Sequence, residues 1–552
     1  MNIKARVISL IKEVENGKFS NIALNEYFKE NNLSKKERGF ITELFYGVIR
    51  NKIFLDYEID KRTTTIKKDW IRNILRISMY QISFMNSDDK GVIWEATELA
   101  KKKFSVPVGK FINGVLRSYQ REWQEDVKEL KESGKNYIYL SYPEWFYNKL
   151  VSEYGEEEGE LFLQSLKKIP YISFRVNRLK YSCEEFEKLL EEKKIDIIKK
   201  VDSVYYVDSG ILLYSDEFRD GKIIVQDASS YLSARNLNPK PDESVLDTCS
   251  APGGKTAVLG ELMENRGELL ALDIYPHKLK LIEENCHKCG VDIVRTVKMD
   301  ARKLKEQGKK FDKILVDAPC SGYGVLRKKP EAIYNKNSEN VEELAKLQFE
   351  ILESASQVLK DNGELVYSTC TILKEENGEN IKKFLENLGV ESNIIGIDIS
   401  KEAIISAAKT YKNIDWLVAS AMNIPLADES MDFVICMFAK IVPEEKMRVL
   451  KNGGKLIVVS TGEKHLIELK EVVYENVRTE FYSPVEDLKI FKHCKTVNCT
   501  GKSFITENES IRNLFDMTPY KWRSPKDGVE RLFSLDNLGI TIDVNIDVFE
   551  KV

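Results

Sequence analysis

Two short stretches of this 552-residue chain carry side chains suited to covalent chemistry. In "KILVDAPCSGYGV" (313–325) the apolar run Ile314, Leu315, Val316 reads as a buried parallel strand, with Asp317 and Cys320 following at its carboxyl end. In "GELVYSTCTILKEENGEN" a second strand ends in Ser368, Thr369 and Cys370. Open α/β sheets place ligands beyond the carboxyl ends of their strands, and neighbouring strands lie about 5 Å apart, so both thiols and the acid can share one pocket. A thiol is superfluous for methylating oxygen or nitrogen, which already offer a lone pair. It is needed for C5 of a pyrimidine, where a thiolate added at C6 makes C5 an enamine-like carbon able to attack a methyl sulfonium. A carboxylic acid at N3 stabilises that adduct, and a second thiol or base helps eliminate the enzyme from the product. One strand-end cysteine alone reads as a small buried hydrophobe. Two, with an acid between them and a cofactor turn upstream, do not.

The elements that must position these groups begin with "SVLDTCSAPGGKTAVLGELM". A strand runs into a tight turn, Cys249, Ser250, Ala251, Pro252, Gly253, Gly254 and Lys255, and then into a helix. Cys249 stands where a phosphate-binding G-x-x-x-x-G-K-T loop needs its first glycine, and the stretch is not G-x-G-x-x-G either. About 25 residues on, "LLALDIY" ends a strand in Asp273, where Rossmann-type folds place an acid on a ribose. Asp300, in "VKMDA", closes the next strand. A glycine turn with acids after the following strands fits an adenosine-containing cofactor without a pyrophosphate, and S-adenosylmethionine (SAM) fits better than a dinucleotide. The β-α-β-α order predicts an α/β domain built on a doubly wound parallel sheet.

Upstream, residues 1–130 read as helices only. Val7, Leu10, Ile11 and Val14 share one face, as do Phe40, Leu44, Phe45 and Val48, which predicts a helical bundle. Residues 131–235 mix strands ("YISFRVNRLK", "SVYYVDS") with a Ser-capped helix ("SCEEFEKLLEEKKI") and predict a small α+β module. There Arg175, Asn177 and Lys180 read equally well as facing RNA or as a salt-bridged sheet surface.

Hydrophobic residues at 43% and charged residues at 31% describe a globular chain. No apolar run approaches the ~18 residues of a membrane span, and the start lacks a signal-peptide block, so a cytoplasmic location and no membrane partner are expected. Residues 1–130 carry 24 Lys/Arg against 18 Asp/Glu, whereas the whole chain has net charge −4. This suggests a phosphate-rich partner or merely a solvated helical surface. Nine cysteines, none before Cys183, do not make a disulfide framework. "CHKC" (286–289) and "HCKTVNC" (493–499) have metal-like spacing without a second pair, so they read as ordinary helix surface and no metal is expected.

Taken together, "DTCSAPGGKT", "VDAPCSGYGVLRKKPE", "YSTCT…EEN", "SFRVNRLK" and "VQDASSYL" resemble the bacterial small-subunit (16S) ribosomal RNA cytosine-C5 methyltransferase B family. The resemblance spans residues 1 to about 388 and includes an N-terminal domain like the antitermination factor NusB. It implies SAM-dependent cytosine-C5 methylation of 16S ribosomal RNA by a monomer. By the same resemblance Cys370 is the nucleophile, Cys320 assists release, and Asp317 contacts the cytosine. Cys249 to Lys255, with Asp273, Asp300 and Asp317, would hold SAM. The implied domains are 1–130 (NusB-like, RNA-binding), 131–235 (RNA recognition), 236–388 (catalytic) and 390–552.

The last of these repeats the pattern already read. "NIIGIDISKEAI" corresponds to "LLALDIYPHKLK", "MDFVICMFA" to "FDKILVDAP", and "VLKNGGKLIVVST" to "VLKDNGELVYST". This partial second methyltransferase-like half enters at its second strand and has no glycine turn. Met437 stands in place of Asp317, and neither Ser460 nor Thr461 is a thiol. It resembles the later part of the large-subunit (23S) guanine-N1 methyltransferases. A bifunctional fusion, a deletion scar, and a half that supplies missing strands are the three explanations, with the scar favoured. The competing function is a catalytically impaired fusion acting only as an RNA-binding protein.

Overall fold

The computed structural model describes all residues except 1–2, 32, 64–65, 67, 335–336, 390–392, 413, 476 and 478–481. The junction expected at 388–390 thus falls partly outside the described residues. The chain divides into two units, Met1–Val390 and Glu391–Val552. No described helix is long and apolar enough to cross a membrane.

The first unit opens with seven helices from Ile3–Glu15 to Val106–Glu132. Their apolar stripes close on one core, with Val7, Leu44, Phe45, Ile77 and Leu116 all buried. Starts are fixed locally: Ser34 and Glu37 form a capping box, and Asp88 accepts from the amides of Lys90 and Gly91. Arg76 reaches Asp56 through two parallel bonds of 2.7 Å, holding two of these helices together.

Next come β1 (Ile172–Val176), β2 (Ile197–Val201), β3 (Val204–Val207) and β4 (Ile223–Val225), an antiparallel sheet in the order β2-β3-β1-β4. The helix Cys183–Glu192 starts on a Ser182–Glu185 capping box. The structure corrects the reading of Arg175 and Asn177 as surface residues, because both are fully buried. Arg175 pairs with Glu261 and donates to Gln226 Oε1 at 2.7 Å; Asn177 Nδ2 donates to the carbonyls of Gly221 and Cys289, each at 2.8 Å. Lys180 donates to the carbonyl oxygens of Asp220 and Lys288. These cations and amides fasten the small module to the parallel-sheet domain that follows.

That domain is a parallel sheet in the order β7-β6-β5-β8-β9: β5 (Ser244–Asp247), β6 (Glu268–Asp273), β7 (Val294–Lys298), β8 (Phe311–Asp317) and β9 (Leu359–Ser368). Ile314, Leu315 and Val316 are fully buried, as a central parallel strand covered on both faces requires. A second correction concerns "CHKC". It lies on the helix Pro276–Cys289, but Cys286 and Cys289 face the core and not the surface. The segment after β8 reaches back to the bundle. Glu331 accepts from the Ser20 amide at 2.9 Å, and Tyr334 Oη donates to the Ile49 carbonyl at 2.7 Å.

The second unit holds two separate sheets. β10 (Ile395–Asp398) pairs in parallel with β11 (Asp415–Val418). β12 (Met431–Met437), β13 (Leu450–Thr461), β14 (Lys492–Ile505) and β15 (Leu538–Glu550) form the order β12-β13-β15-β14. In the first unit, β5 joins β6 to β8. Among the described residues the second unit has no counterpart of β5, and the equivalents β10 and β12 lie in different sheets. Phe433, Ile435 and Met437 on β12 are more than 60% exposed, and the β8 counterpart of Ile435, Leu315, is fully buried. "HCKTVNC" lies on the exposed strand β14 and not on a helix.

Candidate active site

The carboxyl edge of the five-stranded sheet gathers the residues singled out by sequence. Asp247 ends β5 opposite Ala271 and Leu315, so Asp273 and Asp317 sit two residues further out on the flanking strands. Gly253 caps the helix Gly254–Leu262 at φ +101°, and a Cβ there would lie 3.0 Å from Ile282 Cα. Backbone angle and close packing therefore both demand glycine. Gly253→Ala is expected to lower stability by at least about 1–2 kcal/mol, read by denaturant unfolding.

Asp247 was not among the sequence candidates. It is fully buried; Thr256 Oγ1 donates to its Oδ2 at 2.7 Å, while its Oδ1 has no hydrogen-bond partner among the described residues. Burial pushes its carboxyl up to about 6. Burial likewise pushes the Cys249 thiol up to about 12, which makes Cys249 a lining residue rather than a nucleophile. Asp273 Oδ1 accepts from the Tyr275 amide at 2.9 Å, and the adjoining Ile274 is an exposed apolar side chain. Asp300 caps the turn at Ala301–Gln307 and pairs with Arg302 at 2.7 Å; that guanidinium holds its carboxyl below the usual range. SAM fits this edge. The orphaned buried oxygen of Asp247 is an acceptor awaiting a donor, Asp273 would take ribose hydroxyls, and Ile274 offers an apolar face to adenine. When bound, the cofactor supplies an electrophilic methyl group on a sulfonium.

On the other side of β5, Asp317, Cys320 and Cys370 converge. Asp317 and Ser368 are register partners on β8 and β9, and Ser368 Oγ donates to Asp317 Oδ1 at 2.9 Å. Lys255, from the glycine turn, pairs with Asp317 Oδ2 at 2.7 Å and so links the cofactor side to this acid. The sulfurs of Cys320 and Cys370 lie 2.8 Å apart, and the Cys370 amide donates to Cys320 Sγ at 3.1 Å. The hydrogen bond from Cys320 brings the Cys370 thiol down to about 7. The same contact, with burial, drives the Cys320 thiol far up. Cys370 is also the more exposed of the two. The pair is thus one exposed thiolate held by one thiol.

Gly324 brings a further loop against the pair. Its amide donates to the Cys370 carbonyl at 2.9 Å, and a Cβ there would stand 2.8 Å from that oxygen. Three residues without an assigned role in the sequence reading surround the thiols: Gln348, Glu376 and Asn377. The only sequence signal for Glu376 and Asn377 was the "EEN" that follows Cys370, and Gln348 had none.

A glycine turn after β5, an acid at the end of β6 on one flank and two thiols on the other are what the edge of a SAM-dependent methyltransferase offers. A family model described as 16S rRNA methyltransferase RsmB/F matches residues 234–423, one described as NusB family matches 1–121, and a ferredoxin-like domain of RsmF/B-like methyltransferases matches 142–216. A ubiE/COQ5 methyltransferase model matches 372–485. The probable ribosomal RNA small subunit methyltransferase B of Bacillus subtilis (strain 168) is 38% identical over 386 residues, 68% of this chain and 86% of that protein. The ribosomal RNA small subunit methyltransferase B of Escherichia coli O127:H6 is 32% identical over 64% of this chain and 83% of its own. A solved structure, "Crystal Structure of PH0851", superposes with TM-score 0.60 at 30% identity, covering 70% of this chain and 90% of that one. The chain belongs to the RsmB/F family of 16S rRNA methyltransferases, with an added ubiE-like region at its C-terminal end.

Proposed function

We propose that residues 1–390 methylate C5 of a cytosine in 16S ribosomal RNA through a covalent bond from Cys370 to C6. The observation that carries this reading is the sulfur pair, 2.8 Å apart, beside Asp317. Chemistry on nitrogen or oxygen has no use for it. With the base out of its stack, the Cys370 thiolate adds to C6 and the ring electrons move toward N3. There Asp317, acting as a carboxylic acid, gives its proton to N3 as the negative charge develops, and Lys255 pairs with the carboxylate that is left. C5 would take the methyl group that the cofactor supplies and lose its proton to a solvent water; the C5–C6 double bond then re-forms and expels Cys370. The S–H of Cys320 stabilises the departing thiolate and in that way assists release.

The helical residues 1–130 and the module 131–235 are proposed to bind RNA ahead of the catalytic residues 236–388, in a cytoplasmic monomer. Residues 390–552 are proposed to descend from a guanine-N1 methyltransferase segment and to do no chemistry. Met437 stands in place of Asp317, neither Ser460 nor Thr461 is a thiol, and no described strand there leads into a glycine turn.

The test is nucleoside mass spectrometry after incubation with SAM and unmodified small- and large-subunit RNA, naked and in particles. 5-Methylcytosine is expected in the small-subunit RNA only, without 1-methylguanosine. Neither product on any substrate would favour the RNA-binding protein instead. A second expectation follows from the thiol at about 7. Only the thiolate adds to C6, so single-turnover adduct formation should rise about tenfold per pH unit below that value and level off above it. A flat profile between pH 5.5 and 8.5 would contradict the assignment of Cys370.

A further inference from the structure

We propose that the adjacent residues Glu376 and Asn377 are positioning residues, a two-sided clamp that sets the spacing of the two thiols. The inference rests on the reaction proposed above only for its benefit, since the geometry stands by itself.

Glu376 is fully buried. Its carboxylate accepts from the Ser321 amide at 2.8 Å, from the Ser321 hydroxyl, and from Gln348 Nε2 at 2.8 Å. The same Gln348 nitrogen donates to the Pro319 carbonyl at 2.9 Å. The residues before and after Cys320 are therefore both gripped from one carboxylate. Asn377 grips the other loop. Its Oδ1 accepts from Thr369 Oγ1 at 2.7 Å, and its Nδ2 donates to the carbonyls of Thr371 at 3.3 Å and Leu373 at 2.9 Å. Thr369 and Thr371 flank Cys370. Ser321 Oγ lies 2.7 Å from Thr371 Oγ1, which joins the two grips directly.

Consecutive residues have their Cα atoms about 3.8 Å apart, so one peptide unit spans the two loops. Tyr367 Oη fixes that unit by donating to the Glu376 carbonyl at 2.7 Å. The buried carboxylate also favours the neutral form of Cys320, adding to the effect of its contact with Cys370. It thereby keeps Cys320 as the donor in the pair. Networks of this kind are demanding: a slack member leaves several buried groups unsatisfied at once.

The test uses the full chain with Glu376→Gln, which keeps shape and removes charge, and separately Asn377→Ala, which cuts only the second grip. Cys370 is alkylated with iodoacetamide across pH 6–10 and followed by peptide mass spectrometry, with SAM binding by calorimetry as the check on folding. Either variant that still binds SAM should shift the Cys370 alkylation midpoint upward by about one pH unit or more, toward an ordinary thiol. It should also lower the single-turnover adduct rate at pH 7 by about tenfold. An unshifted midpoint in a SAM-binding variant overturns the clamp. If both variants fail to bind SAM, Ser321→Ala is read in the same way, and an unchanged midpoint there overturns it. The readout is independent of the methyl acceptor. A shifted midpoint without any 5-methylcytosine would sink the cytosine reaction and keep the clamp, and the reverse would sink the clamp alone.

Discussion

Cys370→Ser is expected to reduce 5-methylcytosine formation by at least about 10³-fold while leaving SAM affinity unchanged. A serine hydroxyl stays protonated at neutral pH and is a weak nucleophile without an activating base. The partner group at Cys370 is a thiol, Cys320, which donates rather than accepts a proton in this pair. Asp273, the acid expected to hold the ribose, ends β6 on the other flank of β5 from the strand that leads to Cys370. Cys320→Ala should behave differently. It removes the hydrogen bond that stabilises the departing thiolate, so a protein–RNA adduct that survives denaturation should accumulate on gels. Full activity in Cys370→Ser would end the covalent reading.

Arg175→Met should destabilise the first unit by about 3–5 kcal/mol, because it leaves the buried Glu261 carboxylate without its cation. The guanidinium is fully buried, pairs with Glu261 and donates to Gln226, so water cannot take its place without opening the seam between the small module and the catalytic domain. Arg175→Met with Glu261→Leu should recover most of the loss, since an apolar pair of similar volume needs no counter-ion. Thermal unfolding of the three proteins reads the result. A single variant as stable as the parent would mean that the seam is hydrated.

The same residue shows where sequence reasoning stops. Arg175 lies on a short strand among alternating polar and apolar residues, which is how a solvated sheet looks, and its counter-ion is 86 positions away on another domain. Asp317, Cys320 and Cys370 were legible because parallel strands in register bring their carboxyl ends to one line, and the apolar runs before each residue mark those ends. The glycine turn was legible because Gly253 needs a backbone angle that other residues adopt at a cost. Asn377 and Glu376 carried no such local mark. Their roles depend on which carbonyls and amides the folded loops bring within reach. The "CHKC" pair misled because spacing alone does not say which face of a helix meets the core.

The buried charge pair also bears on how such a chain can change by recombination. The ferredoxin-like and methyltransferase family matches end and begin between residues 216 and 234, a natural place for genes to cross over. Arg175 lies before that joint, whereas Glu261 and the Cys289 carbonyl held by Asn177 lie after it. A crossover there would draw one half of the pair from each parent. Unless both parents carried the same pair, the offspring would inherit a lone charge in its interior and fail to fold before any catalysis was tested. The two segments are thus heritable as one block, whatever their boundaries suggest.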